Sequence, residues 1–107
     1  MKGRAARRKG HNYERKIRQE FIKLGYVDCN TSRYESKMLD DQKVDLTNTG
    51  IYNVQCKAVE RGVNYHALLS EMPKDKKVNV VFHKKNRQET VTMSKKDFYR
   101  ILSTAKN

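Results

Sequence analysis

The sequence predicts one α/β domain, with helices packed on a mixed sheet of about five strands in the order helix, three strands, helix, two strands, helix. Three observations predict it. Apolar residues recur at helical spacing in three separated stretches. Two short runs within residues 43–59 alternate and are joined by Asn48-Thr49-Gly50, which is hairpin chemistry. A valine-rich run, Val78, Val80, Val81 and Phe82, has the unbroken apolarity of a buried central strand.

Residues 1–10 read as a basic, flexible arm that becomes ordered on a phosphate backbone, ahead of a single domain over 11–107. The first helix is expected over about 12–24. Its stripe is Tyr13, Ile17, Phe21 and Leu24, and Gly25 is its stop. Glu14 stands at the border of that stripe, where a side chain can look into a cleft. Glu20 has Lys16 and Lys23 as helical neighbours and reads as a surface ion-pair partner. Residues 26–34 form a weakly patterned first strand, and 35–42 a polar connection.

In the hairpin, Val54, Cys56 and Ala58 alternate with Asn53, Gln55 and Lys57, the pattern of a half-buried strand. Arg61-Gly62 leads to a second helix at about 64–72, with Tyr65, Leu68, Leu69 and Met72 on one side and Pro73 as its end. After the valine run, the segment 84–88 is a basic turn, and Thr90–Met93 returns as a partner strand. Ser94 and Asp97 have capping-box spacing and open a last helix whose stripe is Phe98, Ile101, Leu102 and Ala105.

Composition narrows the function. A chain of 107 residues supports one modest core. No apolar run reaches membrane-spanning length, and no apolar stretch follows the basic N-terminus, so neither a transmembrane helix nor a secretory signal is expected. Cys29 and Cys56 are far apart in sequence and are expected as free thiols in a reducing cytoplasm. The net charge of +12 is concentrated. Residues 1–18 hold Lys2, Arg4, Arg7, Arg8, Lys9, Arg15, Lys16 and Arg18 against the single acid Glu14. Such a local field points to a polyanion, nucleic acid first. Lys84, Lys85 and Arg87 either extend that track or form a solvated turn. His11, His66 and His83 are scattered without a second ligand at zinc spacing; His11 adjoins the basic arm and could contact phosphate, but a solvated histidine is the preferred reading. There is no P-loop or dinucleotide fingerprint.

The chemistry concentrates in the hairpin. Gln55 and Lys57 leave one strand on the same face, and Asp45, between Val44 and Leu46, is expected roughly opposite Gln55. With Glu14 from the first helix, the set comprises two carboxylates, an amide oxygen and an ammonium. Phosphodiester hydrolysis needs an activated water and a leaving oxygen relieved of charge, which a divalent cation serves. Mg2+ takes a few hard oxygen ligands and keeps several waters, and Mn2+ substitutes for it. Asp40 and Asp41 rank below Asp45 because they lack apolar flanks.

The order Gly10-x-x-x-Glu14-Arg15, Leu24-Gly25-Tyr26, Arg33, Val44-Asp45-Leu46 and Val54-Gln55-Cys56-Lys57 resembles the PD-(D/E)XK nuclease superfamily. Within it, the pattern is most similar to small Holliday junction resolvases of the archaeal and phage type. The resemblance runs from about residue 9 to residue 83. It implies a restriction-endonuclease-like core, with Glu14, Asp45 and Gln55 as metal ligands and Lys57 as the catalytic lysine. Arg33 and Ser36 become candidates to touch the scissile phosphate. Two positions depart from the pattern: Gln55 replaces the usual second acid, and Val44 the usual proline. An amide oxygen ligates Mg2+ without bringing charge.

The function expected from residues and resemblance together is a Mg2+-dependent endonuclease acting on branched DNA, as a homodimer with one site for each of two symmetric strands. Arg4, Arg7, Arg8, Lys9 and Arg15 would position the backbone without reading sequence. Two rivals stand beside it: a phage-type nuclease or nickase on duplex or flap DNA, and a nucleic-acid-binding module whose site has decayed at Gln55.

Overall fold

A computed structural model describes residues 2–106, with five strands and five helices. Helix α1 (Lys2–Lys23) is followed by β1 (Asn30–Thr31), the short helices α2 (Ser32–Glu35) and α3 (Lys37–Asp41), β2 (Leu46–Thr47) and β3 (Tyr52–Lys57). Helix α4 (Tyr65–Glu71), β4 (Val78–Lys85), β5 (Gln88–Thr92) and α5 (Lys95–Lys106) complete the chain. The α/β class agrees with the expectation, and the strands divide into two ladders. β1 and β2 pair antiparallel; in the other, β4 is central, parallel to β3 and antiparallel to β5. A crossover through α4 makes the parallel pairing possible.

The residues 2–10 expected as a flexible arm are instead the first turns of α1; Met1 lies outside the described residues. The helix stops as its sequence dictates. Gly25 takes φ 112, the Tyr26 amide donates to the Phe21 carbonyl, and the Gly25 amide donates to Ile22, each at 3.0 Å. That is a Schellman closure, and its usual apolar contact is present as Phe21 against Tyr26, ring centroids 5.4 Å apart. Leu24, placed in the stripe by its spacing, falls past the last turn and is exposed. Lys16 meets Glu89 on β5 at 2.6 Å, and the described ion pairs include none to Glu20.

The expected strand over 26–34 shrinks to two residues, because α2 and α3 take up the segment thought to be strand and polar connection. Arg33 therefore projects from a helix. Ser36 caps α3 by accepting from the Leu39 amide.

The core lies between α1 and the sheet: Tyr13, Ile17 and Phe21 pack on Val54, Cys56, Val78 and Val80, with Leu46 and Cys29 beside them. β3 is buried on both faces, Asn53 and Gln55 included, which corrects the half-buried expectation. Asn53 is satisfied by Asp75 and by Asn79 on the neighbouring strand. Tight turn chemistry joins β2 to β3: Asn48 and Gly50 both have positive φ, and a Cβ on Gly50 would lie 2.9 Å from the Tyr26 ring.

The second helix forms almost where predicted, capped by Asn64, but among its stripe only Met72, just past the end, is fully buried. Tyr65 gives its hydroxyl to a bond with buried His83, whose other ring nitrogen meets the Val59 carbonyl. The basic turn is shorter than expected. Lys84 and Lys85 belong to β4, and Asn86 (φ 56) with Arg87 makes the reversal. Ser94 accepts from the Asp97 amide at 3.0 Å and opens α5. That helix rests on the core through Ile101, while Phe98, Leu102 and Ala105 of the predicted stripe stay exposed. Among the described residues no helix is long and apolar enough to cross a membrane.

Candidate active site

The cleft forms where β2 parts from β3. β2 has only two residues, and the described backbone bond tying that strand segment to β3 is the Asp45 amide to the Val54 carbonyl, at 2.7 Å. Where the next rung would fall, the Asp45 carboxylate replaces it and accepts from the Cys56 amide at 2.8 Å. Asp45 is thus tied to β3 on either side of Gln55, and it is buried rather than, as expected, solvent-facing. Its neighbours Val44 and Leu46 are buried as well, so the backbone around the carboxylate is held from both sides. Ser32 reinforces this, its hydroxyl donating to the Val44 carbonyl and its amide to the Asp45 carbonyl.

Glu14, Asp45, Gln55 and Lys57 line one cavity of about 260 Å³, together with Arg7, Gly10 and His11 from α1. Glu14 reaches it from the border of the helix's buried face, its side chain 13% exposed. Its carboxyl is pushed up to about 7, first by burial and then by the Asp45 charge, against the opposing pull of Arg33. Arg33 Nη2 approaches Glu14 Oε1 at 3.4 Å, so the residue expected on a strand still arrives at the cleft from α2. Asp45 is raised to about 6 by burial, offset in part by the Cys56 amide and by Lys57. Both carboxyls are thus held above their usual range, with burial the first cause of each shift.

Gln55 carries the sharpest signal. Its Oε1 is buried and has no hydrogen-bond partner among the described residues. A buried amide oxygen left unpaired costs about 1–3 kcal/mol, and a native chain rarely leaves one without a hydrogen-bond partner. Among the described residues no three His, Cys, Asp or Glu side chains gather as a metal-holding group. Gln55 adds an amide oxygen to the two carboxyls that line the cleft. Carboxylate and amide oxygens are hard ligands, which suit Mg2+ or Mn2+ and not zinc.

The other candidate residues divide. Arg4, Arg7, Arg8 and Arg15 line a hollow of about 440 Å³ with His11 and Asn12, beside the cleft. Lys9 and Lys84 line a second, of about 460 Å³, on the other flank of α1. Lys85 stands exposed at the hairpin tip. Ser36 is not among the residues lining the cleft and serves as a helix cap. Asp40, the sequence rival of Asp45, is exposed on α3, yet its charge raises both cleft carboxyls.

His11 is what the sequence reading missed. The preferred placement in solvent gives way to a place in the lining of the cleft, and the alternative of a phosphate contact stays open. The signal was present: Arg7, His11 and Glu14 are spaced to lie along one side of a helix. Burial first, then Arg33, Arg15 and Arg7, lower its pKa.

The fold and cleft define a mixed α/β protein with a basic helix crossing a small acidic pocket. Compared with known proteins, the chain matches no family model, no curated protein and no solved structure.

Proposed function

We propose that this chain is a Mg2+-dependent endonuclease of restriction-endonuclease-like fold that hydrolyses DNA at branches, four-way junctions above all. The observation that carries the reading is the unpartnered Gln55 Oε1, buried in one cleft with two carboxyls raised chiefly by burial and with Lys57. Glu14, Asp45 and Gln55 would hold the cation. Bound there, Mg2+ supplies a Lewis acid for the phosphate and a water that ionises more readily.

The chain's own residues do the rest. Asp45 stays fixed through its bond from the Cys56 amide, so it presents its second oxygen in a constant direction. Lys57, half-buried on the same strand, orients the attacking water and offsets charge gathering on the phosphate oxygens. Arg33 holds Glu14 in place and lies where it can meet a phosphate next to the cut. The basic face of α1 positions the backbone without reading bases. A junction presents two equivalent strands, which calls for two copies of the chain related by a two-fold axis.

The experiment compares cleavage of four-way junction, flap and linear duplex by the purified chain, with Mg2+ and with EDTA. Junction cleavage that needs Mg2+ and is lost in Lys57→Ala supports the reading. Equal rates on all three substrates favour a general nuclease or nickase. A second reading rests on the missing charge at Gln55: a binding module whose site has decayed. It wins if the native chain binds junctions without cutting them and Gln55→Glu creates cleavage.

A further inference from the structure

We infer that the N-terminal half of α1 lies in a groove of duplex DNA, with its arginine row leading one strand into the cleft. This rests on the nuclease reading of the cleft and adds the path of its substrate. At 3.6 residues per turn, Arg4, Arg7, Arg8, His11, Arg15 and Arg18 fall within a sector of about 100°. The far end of the row is anchored, Arg18 Nε donating to the Cys29 carbonyl at 3.0 Å. The side chains of Arg4, Arg7 and Arg8 take part in none of the described hydrogen bonds or ion pairs, and residues 3–9 are all exposed.

Two cationic hollows flank this helix and share the ridge of Arg8 and Asn12. The arginine hollow also shares Arg7 and His11 with the cleft, so a strand lying in it continues onto Glu14 and Asp45. The opposite hollow presents Lys9, Lys16 and Lys84. Lys9 and Lys16 are held by Glu60 and Glu89 at 2.6 Å, exposed pairs weak enough to exchange for phosphate. One strand offers a single row of phosphates, whereas a groove offers a row on either side of a helix. A helix about 10–12 Å across matches a major groove about 12 Å wide. Gly3, Ala5 and Ala6 keep the free turns slim.

The test measures equilibrium binding of the full chain in EDTA, by fluorescence anisotropy, to a short duplex and to its single strand over about 50–200 mM salt. On duplex, the triple variant Arg4→Gln, Arg7→Gln, Arg15→Gln is expected to flatten the plot of log K against log salt by about 2 to 3, and on single strand by about 2. The pair Lys16→Gln, Lys84→Gln is expected to flatten it by about 1 to 2 on duplex and to leave single-strand binding unchanged. Melting temperatures check that the variants are folded. An equal effect of the lysine pair on both substrates, or none on either, overturns the groove placement. So does tighter binding to phosphatidylserine vesicles than to duplex at equal salt. Because no cation and no cleavage enter the measurement, these slopes fail separately from the chemistry of the cleft.

Discussion

Replacing Glu14 by glutamine is expected to stabilise the protein at alkaline pH while abolishing cleavage. The Glu14 carboxyl ionises at about 7 in the fold, against 4.5 in an unstructured chain. A raised carboxyl means the folded state keeps its proton longer than the unfolded one. Stability therefore falls as pH climbs from about 4.5 to about 7, and the loss is complete above that. At 1.36 kcal/mol per pH unit, the difference amounts to about 3 kcal/mol. Glutamine is nearly isosteric, never ionises, and can still accept from Arg33, so it removes most of that penalty. We expect a gain of about 1–3 kcal/mol at pH 8 and almost none at pH 4.5. For a domain of this size that is a rise of at least about 4 °C in Tm. The assay is thermal unfolding by circular dichroism in EDTA at both pH values, with Mg2+ added in a second series. Added Mg2+ should raise the wild-type Tm at pH 8 through preferential binding to the folded state, and raise the variant's less. A variant less stable than wild type at pH 8, or one stabilised equally at both pH values, would refute the argument that Glu14 is held in an unfavourable ionised state.

Other outcomes follow from the same geometry. Lys57→Met keeps the aliphatic stem and removes the charge, so it should cut the cleavage rate by about 10²–10³ while leaving junction binding in EDTA intact; gel-shift and single-turnover assays read the two effects. Gly50→Ala should destabilise by about 1–3 kcal/mol in urea melts, because the new Cβ meets the Tyr26 ring at 2.9 Å on a backbone with φ 66. Asn53→Leu leaves the half-buried Asn79 amide oxygen without its donor, while Asp75 keeps the Lys77 amide, and a urea melt should show a loss of about 1–3 kcal/mol.

Most of the α/β arrangement was legible because it rests on local signals. The stripe Tyr13–Ile17–Phe21, the Gly25 stop, the Gly50 turn and the valine run each act within a few residues. The errors came where tertiary context decides. Residues 2–10 combine glycines with repelling arginines and predict no helix on their own, yet continue α1 in register. Residues 32–41 lack an apolar period long enough to announce a helix, and two single-turn helices form there around the Ser36 cap. Gln55 alternated as a solvent-facing residue should, but covering of both sheet faces buries it, which no count of period two can foresee.

The cleft owes its existence to that last point. An exposed Gln55 would satisfy its amide with water, and Glu14 and Asp45 would ionise at ordinary pH. Burial removes the water, raises both carboxyls and leaves Oε1 without a partner. The short β2 withholds the backbone that would have closed the gap, and Asp45 spends one oxygen on the Cys56 amide that this leaves free. A truncated strand, a buried amide and two strained acids are thus one arrangement seen from three sides. Lengthening β2 so that backbone replaces the Asp45 bond would relax all three together and return stability to the fold.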